Sequence, residues 1–317
     1  MSKYPISKDF RFARLLTFPV MPWAAPIAEV CLGVFMHANH SDKNVNVSKI
    51  KINVEDADIN ALFYEPINCK NNAPLLVYFH GGAYMYKAAP YHFRLVKEYC
   101  VKANCKVLMV DYRLAPKHKY PIPVMDCYKS LEYAVRNAEK LGIDKSKIAV
   151  GGDSAGGGIA ASVVLMARDR NLAHLCGQML IYPVLDKRIN SNSMKKYTDT
   201  PVWNAKLTKK MMPYYFPSNT VELAEYASAV EVENLSNLPS TYIETAEFDC
   251  LHDDGINYAI RLNESSVNVE LYETKGTMHG FDMVAKSSIT TKSMEKRISV
   301  PMKKEELITL HAVSYKH

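Results

Sequence analysis

The sequence predicts an α/β architecture: a mostly parallel, mixed sheet with helices on both faces and a helical cap. Three observations predict it. Pro74–Phe79, Lys106–Val110, Gln178–Pro183 and Thr241–Ala246 are continuous, largely apolar runs, the pattern of strands buried on both faces. Helix-like stretches lie between them, and strands alternating with helices build parallel sheets. His80, Ser154, Asp249 and His279 each fall just after an expected strand, where open α/β sheets gather ligands.

The 317 residues suit one large domain with an inserted lid. Hydrophobic content of 48% and charged content of 23% are ordinary for a globular chain. The net charge of +6 is spread over short clusters such as Lys195-Lys196, Lys209-Lys210 and Lys303-Lys304. That is a solvated surface and gives no nucleic-acid footprint, which needs a basic stripe or a module. The seven cysteines are odd in number, and their spacing fits no zinc or C-x-x-C pattern. They read as reduced core thiols of a cytoplasmic protein.

Residues 1 to 45 read as a broken helical segment that covers something. Leu15 to Met36 is apolar, but Pro19, Pro22, Pro26 and Glu29 interrupt it. It has neither the 18 or more apolar residues of a spanning helix nor the compact core of a signal peptide. Ser48–Val54 alternates with period two, turns at Glu55–Asp58 and runs on through Ile59–Tyr64, a half-buried hairpin. After Pro74–Phe79, a helix is expected over Tyr91–Lys102, then the strand Lys106–Val110. A long helix should follow Pro121 and Pro123 and run to about Leu141, with Gly142 as its stop.

Ile148-Ala149-Val150-Gly151 next collides with Gly152-Asp153-Ser154-Ala155-Gly156, a G-x-S-x-G, and opens into a helix over Ile159–Ala167. At a sharp strand-to-helix turn the serine hydroxyl is pushed out at the top of the sheet. By itself the pattern occurs by chance in roughly one chain of this length in ten, so the partners must decide. Residues 187–225 break the rhythm with Lys, Tyr, Met and Pro, and contain Trp203, Met211, Met212, Tyr214, Tyr215 and Phe216. They read as a lid inserted in a domain spanning 46–317. The rhythm returns with Thr241–Ala246, a helix from Asp254 to about Leu262, the strand Val269–Glu273 and a terminal helical region.

A serine needs a base, and the base needs an acid that fixes its tautomer. Ser154, Asp249 and His279 appear in the order Ser, acid, His. His279 follows the last strand; His252 sits beside the acid, and His37, His40, His92, His118 and His174 lie elsewhere. Glu247, Asp249, Asp253 and Asp254 crowd one loop. Asp249 is the first to clear the strand's pairing edge, and Asp253 and Asp254 are placed to cap the next helix. An oxyanion needs preorganised N–H donors. Ala155 can supply one, and the His80-Gly81-Gly82-Ala83 loop the others.

Together His80-Gly81-Gly82, Asp111-Tyr112-Arg113-Leu114-Ala115-Pro116, Gly152-Asp153-Ser154-Ala155-Gly156-Gly157, Asp249 with Leu251 and Asp253, and His279-Gly280-Phe281 resemble the hormone-sensitive-lipase-like branch of the α/β-hydrolase esterases. The resemblance implies the α/β-hydrolase fold and hydrolysis of a small-molecule carboxylic ester, usually with a short acyl chain and no metal or organic cofactor. It implies Ser154 as nucleophile, His279 as base and Asp249 as its orienter, with oxyanion donors on Gly81, Gly82 and Ala155. It also implies a cap formed by the N-terminus and the insertion, and a frequent tendency to dimerise. Two positions depart from the family pattern. Ala83 replaces a third glycine and resists positive φ. Lys117 replaces an acid, so the ion pairing around it must differ. A peptidase or amidase, a thioesterase and a non-catalytic binding protein remain as alternatives on the same fold. No stable membrane association is expected, and an interfacial lipase is disfavoured because lysines break up the lid's aromatics and no long apolar surface helix is evident.

Overall fold

The computed structural model describes residues 3–17, 20, 23, 25–218 and 222–299. The strands, in chain order, are β1 (Val45–Asn53), β2 (Asp58–Pro66), β3 (Ala73–Phe79), β4 (Lys106–Asp111), β5 (Ile143–Asp153), β6 (Gly177–Ile181), β7 (Thr241–Phe248) and β8 (Val269–Met278). They form one sheet in the order β1-β2-β4-β3-β5-β6-β7-β8. β2 is antiparallel to both β1 and β4, and every pair from β4 to β8 is parallel.

The helices are α1 (Ala25–His37), α2 (Pro90–Lys102), α3 (Ile122–Arg136), α4 (Ala155–Asp169), α5 (Asn192–Lys196), α6 (Ala205–Tyr215), α7 (His252–Glu264), α8 (Phe281–Val284) and α9 (Ser288–Ser299). The core lies on both faces of the sheet. β3, β4 and β6 are almost wholly buried, as their unbroken apolar runs require. β1 is one of the two edge strands, with β8 at the other edge. It turns exposed Lys49 and Lys51 outward, the charged edge that discourages pairing with another chain.

Three details differ from the expectation. α3 ends at Arg136, not near Leu141. Asn137 leaves helical geometry and its side chain caps the Tyr133 carbonyl at 2.9 Å. Gly142, at φ +60°, closes the turn that follows. Asp253 and Asp254 lie inside the first turn of α7, and Leu251 occupies the cap position without a side-chain bond. The N-terminal stretch does carry an apolar surface helix. α1 buries Met36 and packs Ala28 and Leu32 on the core, while Ile27, Val30 and Val34 face outward. No described helix is long and apolar enough to cross a membrane. The terminal helical region is α8 and α9; Phe18, Pro19, Pro22, Lys303 and Lys304 lie outside the described residues.

Parallel order puts the carboxyl ends of β3, β5, β7 and β8 along one edge of the sheet. His80 follows β3, Ser154 follows β5, Asp249 follows β7 and His279 follows β8. Four segments far apart in sequence therefore converge there.

Candidate active site

β5 ends at Asp153 and α4 begins at Ala155, which leaves Ser154 alone to turn the chain. It does so at φ 54°, ψ −118°, a conformation L-residues avoid and functional sites retain. Gly156 makes the turn sterically possible, because a Cβ there would overlap the Phe79 carbonyl of β3. The Ser154 N–H donates to the Ile181 carbonyl at 2.8 Å, which fixes the elbow to β6.

The structure brings Ser154, His279 and Asp249 together. Ser154 Oγ lies 2.8 Å from His279 Nε2, and His279 Nδ1 lies 2.7 Å from Asp249 Oδ2. Asp249 is fully buried, and its other oxygen accepts the Leu251 N–H at 3.0 Å. The imidazole is therefore held at one nitrogen by a carboxylate and presents the other to the serine. Tyr182 packs edge-on against it, with ring centroids 4.9 Å apart, and the Trp203 ring lies 6.3 Å away.

The loop after β3 corrects one expectation. The Gly81 N–H is not free for an oxyanion: it donates to Asp153 Oδ1 at 2.9 Å. Asp153 also accepts from the Tyr78 hydroxyl at 2.6 Å and faces His92 Nε2 at 3.3 Å. Burial alone would raise this carboxyl, yet His92, Tyr78 and the Gly81 N–H hold it below the usual carboxylate range. The chain then turns through three successive positive φ values, Gly82 at 126°, Ala83 at 55° and Tyr84 at 60°. Ala83 thus adopts the conformation that its side chain disfavours. Among the described residues, none accepts a hydrogen bond from the N–H groups of Gly82, Ala83 and Ala155.

Neighbouring contacts brace this loop. His80 is fully buried, and burial, reinforced by His92, pushes its imidazole down to about 3, so it is neutral. It stacks on Tyr112 at 4.5 Å, and the Tyr112 hydroxyl donates to the His80 carbonyl at 2.6 Å. Tyr84 stacks face to face on Tyr215 of α6, with centroids 3.6 Å apart. Arg113 binds Asp126 of α3 at 2.7 Å and Asp56 of the β1–β2 turn at 2.8 Å, while Lys117 is exposed.

Asp253 accepts the Ser193 N–H at 2.8 Å and pairs with His252 at 2.9 Å, which ties the insertion to the acid's loop. Sequence reasoning passed over Asp153, although it lies inside the quoted motif. It also missed the buried set behind His279. Tyr182 donates to Asp282 at 2.6 Å, and Arg297 of α9 reaches Asp282 at 2.6 Å and Glu244 at 2.7 Å.

A family model for the alpha/beta hydrolase fold matches residues 76–283, the stretch that holds Ser154, Asp249, His279 and the loop after β3. The chain belongs to the α/β-hydrolase family. Within it, the motifs and relatives place this hydrolase in the hormone-sensitive-lipase-like esterase branch. It is 36% identical over 233 residues to an arylesterase of Saccharolobus solfataricus, covering 73% of this chain and 76% of the relative. It is 35% identical over 227 residues to carboxylesterase NlhH of Mycobacterium tuberculosis, covering 71% of each. Among solved structures, a bacterial heroin esterase superposes with a TM-score of 0.86 at 31% identity, over 96% of this chain and all of that one. A hyperthermophilic esterase of the archaeon Pyrobaculum calidifontis does so at 0.83 and 30%, over 94% of this hydrolase and 98% of its own chain.

Proposed function

We propose that this hydrolase is a serine carboxylesterase acting on short-chain acyl esters, with Ser154 as nucleophile, His279 as base and Asp249 as its orienting acid. The observation that carries the reading is the pair of bonds from one imidazole, 2.8 Å to Ser154 Oγ and 2.7 Å to Asp249. Ser154 Oγ attacks the ester carbonyl while its proton passes to His279 Nε2. The new C–O bond leaves an oxyanion, to which the N–H groups of Gly82, Ala83 and Ala155 are available. Collapse breaks the bond to the alcohol, and His279 returns its proton to the departing alkoxide. Water, deprotonated by His279, then cleaves the acyl-enzyme by the same steps.

Residues 1–45 and 187–225 are read as the cap over a catalytic domain of 46–317. Leu16 accepts the Val202 N–H at 2.7 Å, and the Ser7 N–H donates to Gly276 at 2.9 Å, so both segments cross beside His279. Trp203 and Tyr215 are buried among them, which supports a small acyl pocket. A cytoplasmic location is supported by seven cysteines outside any disulfide, with burial pushing the Cys100 thiol up to about 12 and Cys176 up to about 11.

The test is kcat/KM on p-nitrophenyl esters from acetate to decanoate, with Ser154→Ala and fluorophosphonate labelling alongside. The expected outcome is a steep fall beyond butyrate, loss of nearly all turnover in Ser154→Ala, and labelling at Ser154 alone. Substantial esterase activity in Ser154→Ala refutes the nucleophile. A maximum at octanoate or longer refutes the short acyl pocket.

A further inference from the structure

Eight of the eleven large apolar side chains exposed among the described residues fall between Phe12 and Phe35. Leu15 is 92% exposed, Trp23 72%, Ile27 60%, Val30 72% and Val34 64%. On α1, Ile27, Val30 and Val34 fall at spacings of three and four and share one face with exposed Cys31. The opposite face holds Ala28, Leu32 and Met36 against the core. A helix that is apolar on both faces does not belong in water on one of them.

The charges around this patch say what covers it. Exposed Lys8 and Arg11 lie at one end, on the helical turns Lys8–Leu15. At the other end, exposed Lys49 reaches His37, the last residue of α1, at 2.7 Å. The stretch itself carries two carboxylates, Asp9 and Glu29, and the whole chain is +6. Aromatic and aliphatic side chains rimmed by cations fit the headgroup boundary of an anionic bilayer. A second copy meeting this face would bring the same positive rim against itself.

Both parts of this stretch reach the surroundings of the site. Leu16 pairs with Val202, next to Trp203, and Gly33 of α1 lies against Lys87, just beyond the loop after β3. We propose that the N-terminal segment is a reversible docking surface for an anionic lipid bilayer, which sets the opening of the hydrolase site against the membrane surface. Docking does not depend on the esterase reading, but it would make esters partitioned into that surface the natural pool of substrate.

The experiment is co-sedimentation of the full chain, wild type and Ser154→Ala, with vesicles of phosphatidylcholine alone or mixed with equimolar phosphatidylglycerol. Both proteins should bind the mixed vesicles, because turnover is not needed. Burial of one valine changes partition by at least about tenfold, so the double variant Val30→Glu, Val34→Glu should lose at least that much. Its Tm and its turnover of dissolved p-nitrophenyl butyrate should stay as in the wild type, since both side chains face solvent. In a Trp203→Phe background, Trp23 is the remaining tryptophan, and its emission should shift to the blue on the mixed vesicles. Failure to bind them, or equal binding by the double variant, overturns the proposal. So does a dimer that the double variant dissociates, with no vesicle binding, because the occupant would then be a second copy.

Discussion

Replacing Arg297 by Met should cost this hydrolase more stability than any exposed substitution, for a reason that can be worked from the structure. The Arg297 side chain is 1% exposed, and its partners Glu244 and Asp282 are 0% and 3% exposed. Nε binds Glu244 and Nη1 binds Asp282, at 2.7 and 2.6 Å. Removing the cation leaves two carboxylates buried near each other, and breaking such a pair from one side costs about 3–5 kcal/mol. Neutral donors soften the loss. Glu244 keeps Thr274 and Ser293 at 2.8 and 2.7 Å, and Asp282 keeps Tyr182 at 2.6 Å. A cost near 3 kcal/mol is a large share of the roughly 5–15 kcal/mol that holds a domain folded.

Urea unfolding followed by tryptophan fluorescence measures that cost, and removing the partner charges as well identifies its origin. Replacing all three residues (Glu244→Gln, Asp282→Asn, Arg297→Met) should recover most of the stability, since no charge remains unpaired. Because Asp282 holds the Tyr182 hydroxyl and Tyr182 flanks His279, kcat of Arg297→Met should fall more than KM rises. A loss under about 1 kcal/mol, or a triple variant no more stable than Arg297→Met, refutes the reasoning.

Two further outcomes test the surroundings of the site. Burial alone would lower the His252 imidazole, but hydrogen bonds to Asp253 and Glu273 raise it to about 9, while His252 holds Glu273 down to about 2. The histidine's contribution is complete below its unfolded value of about 6.5 and is lost as pH rises through about 9; the glutamate's is complete above about 4.5 and is lost towards 2. His252→Gln should therefore be more destabilising at pH 6 than near pH 9.5, and equal losses in urea unfolding at both would contradict the pairing. Asp153→Asn weakens the bond that turns the Gly81 peptide, so kcat should drop about 10- to 100-fold while fluorophosphonate still labels Ser154. An unchanged kcat would show that the loop keeps its shape without the carboxylate.

The strands were legible because burial on both faces leaves an unbroken apolar run, and because β1, at the edge, has a face towards water; β2, expected to be half-buried, is instead buried on both faces from Ala61 to Tyr64, where it lies between β1 and β4. The Ser154, Asp249 and His279 constellation was legible because each residue ends a strand, and parallel strands end together. What could not be read was anything set by a single side chain finding a distant partner. Arg297 sits among Lys296, Lys292 and Glu295 in an ordinary charged helix, and nothing local shows that it alone turns inward to Glu244, 53 residues away. Asp253 and Asp254 looked like caps because caps are local, yet Asp253 is spent on Ser193 from the insertion. The apolar outer face of α1 was hidden by Pro26, which interrupts the run in sequence but sits in the first turn of the helix.

The oxyanion loop shows most plainly why sequence reading stopped where it did. Which N–H groups face the reaction depends on which peptide Asp153 captures, and that depends on backbone angles a motif does not encode. Once Gly81 is bound to Asp153, the next three residues continue at positive φ. For Ala83 and Tyr84 that conformation costs roughly 1–2 kcal/mol each. It persists because neighbours over-determine it. The Met85 and Tyr86 N–H groups both donate to the Gly82 carbonyl, at 3.0 and 2.9 Å, and the Ala115 N–H donates to Tyr84 at 2.9 Å. The Tyr84 ring is clamped on Tyr215 of the insertion. Through this stack Tyr215 of α6 holds the loop in the conformation that leaves the Gly82 and Ala83 N–H groups free. Under the proposed reading of 187–225 as a cap, Tyr215→Ala should lower kcat as well as change the choice of substrate.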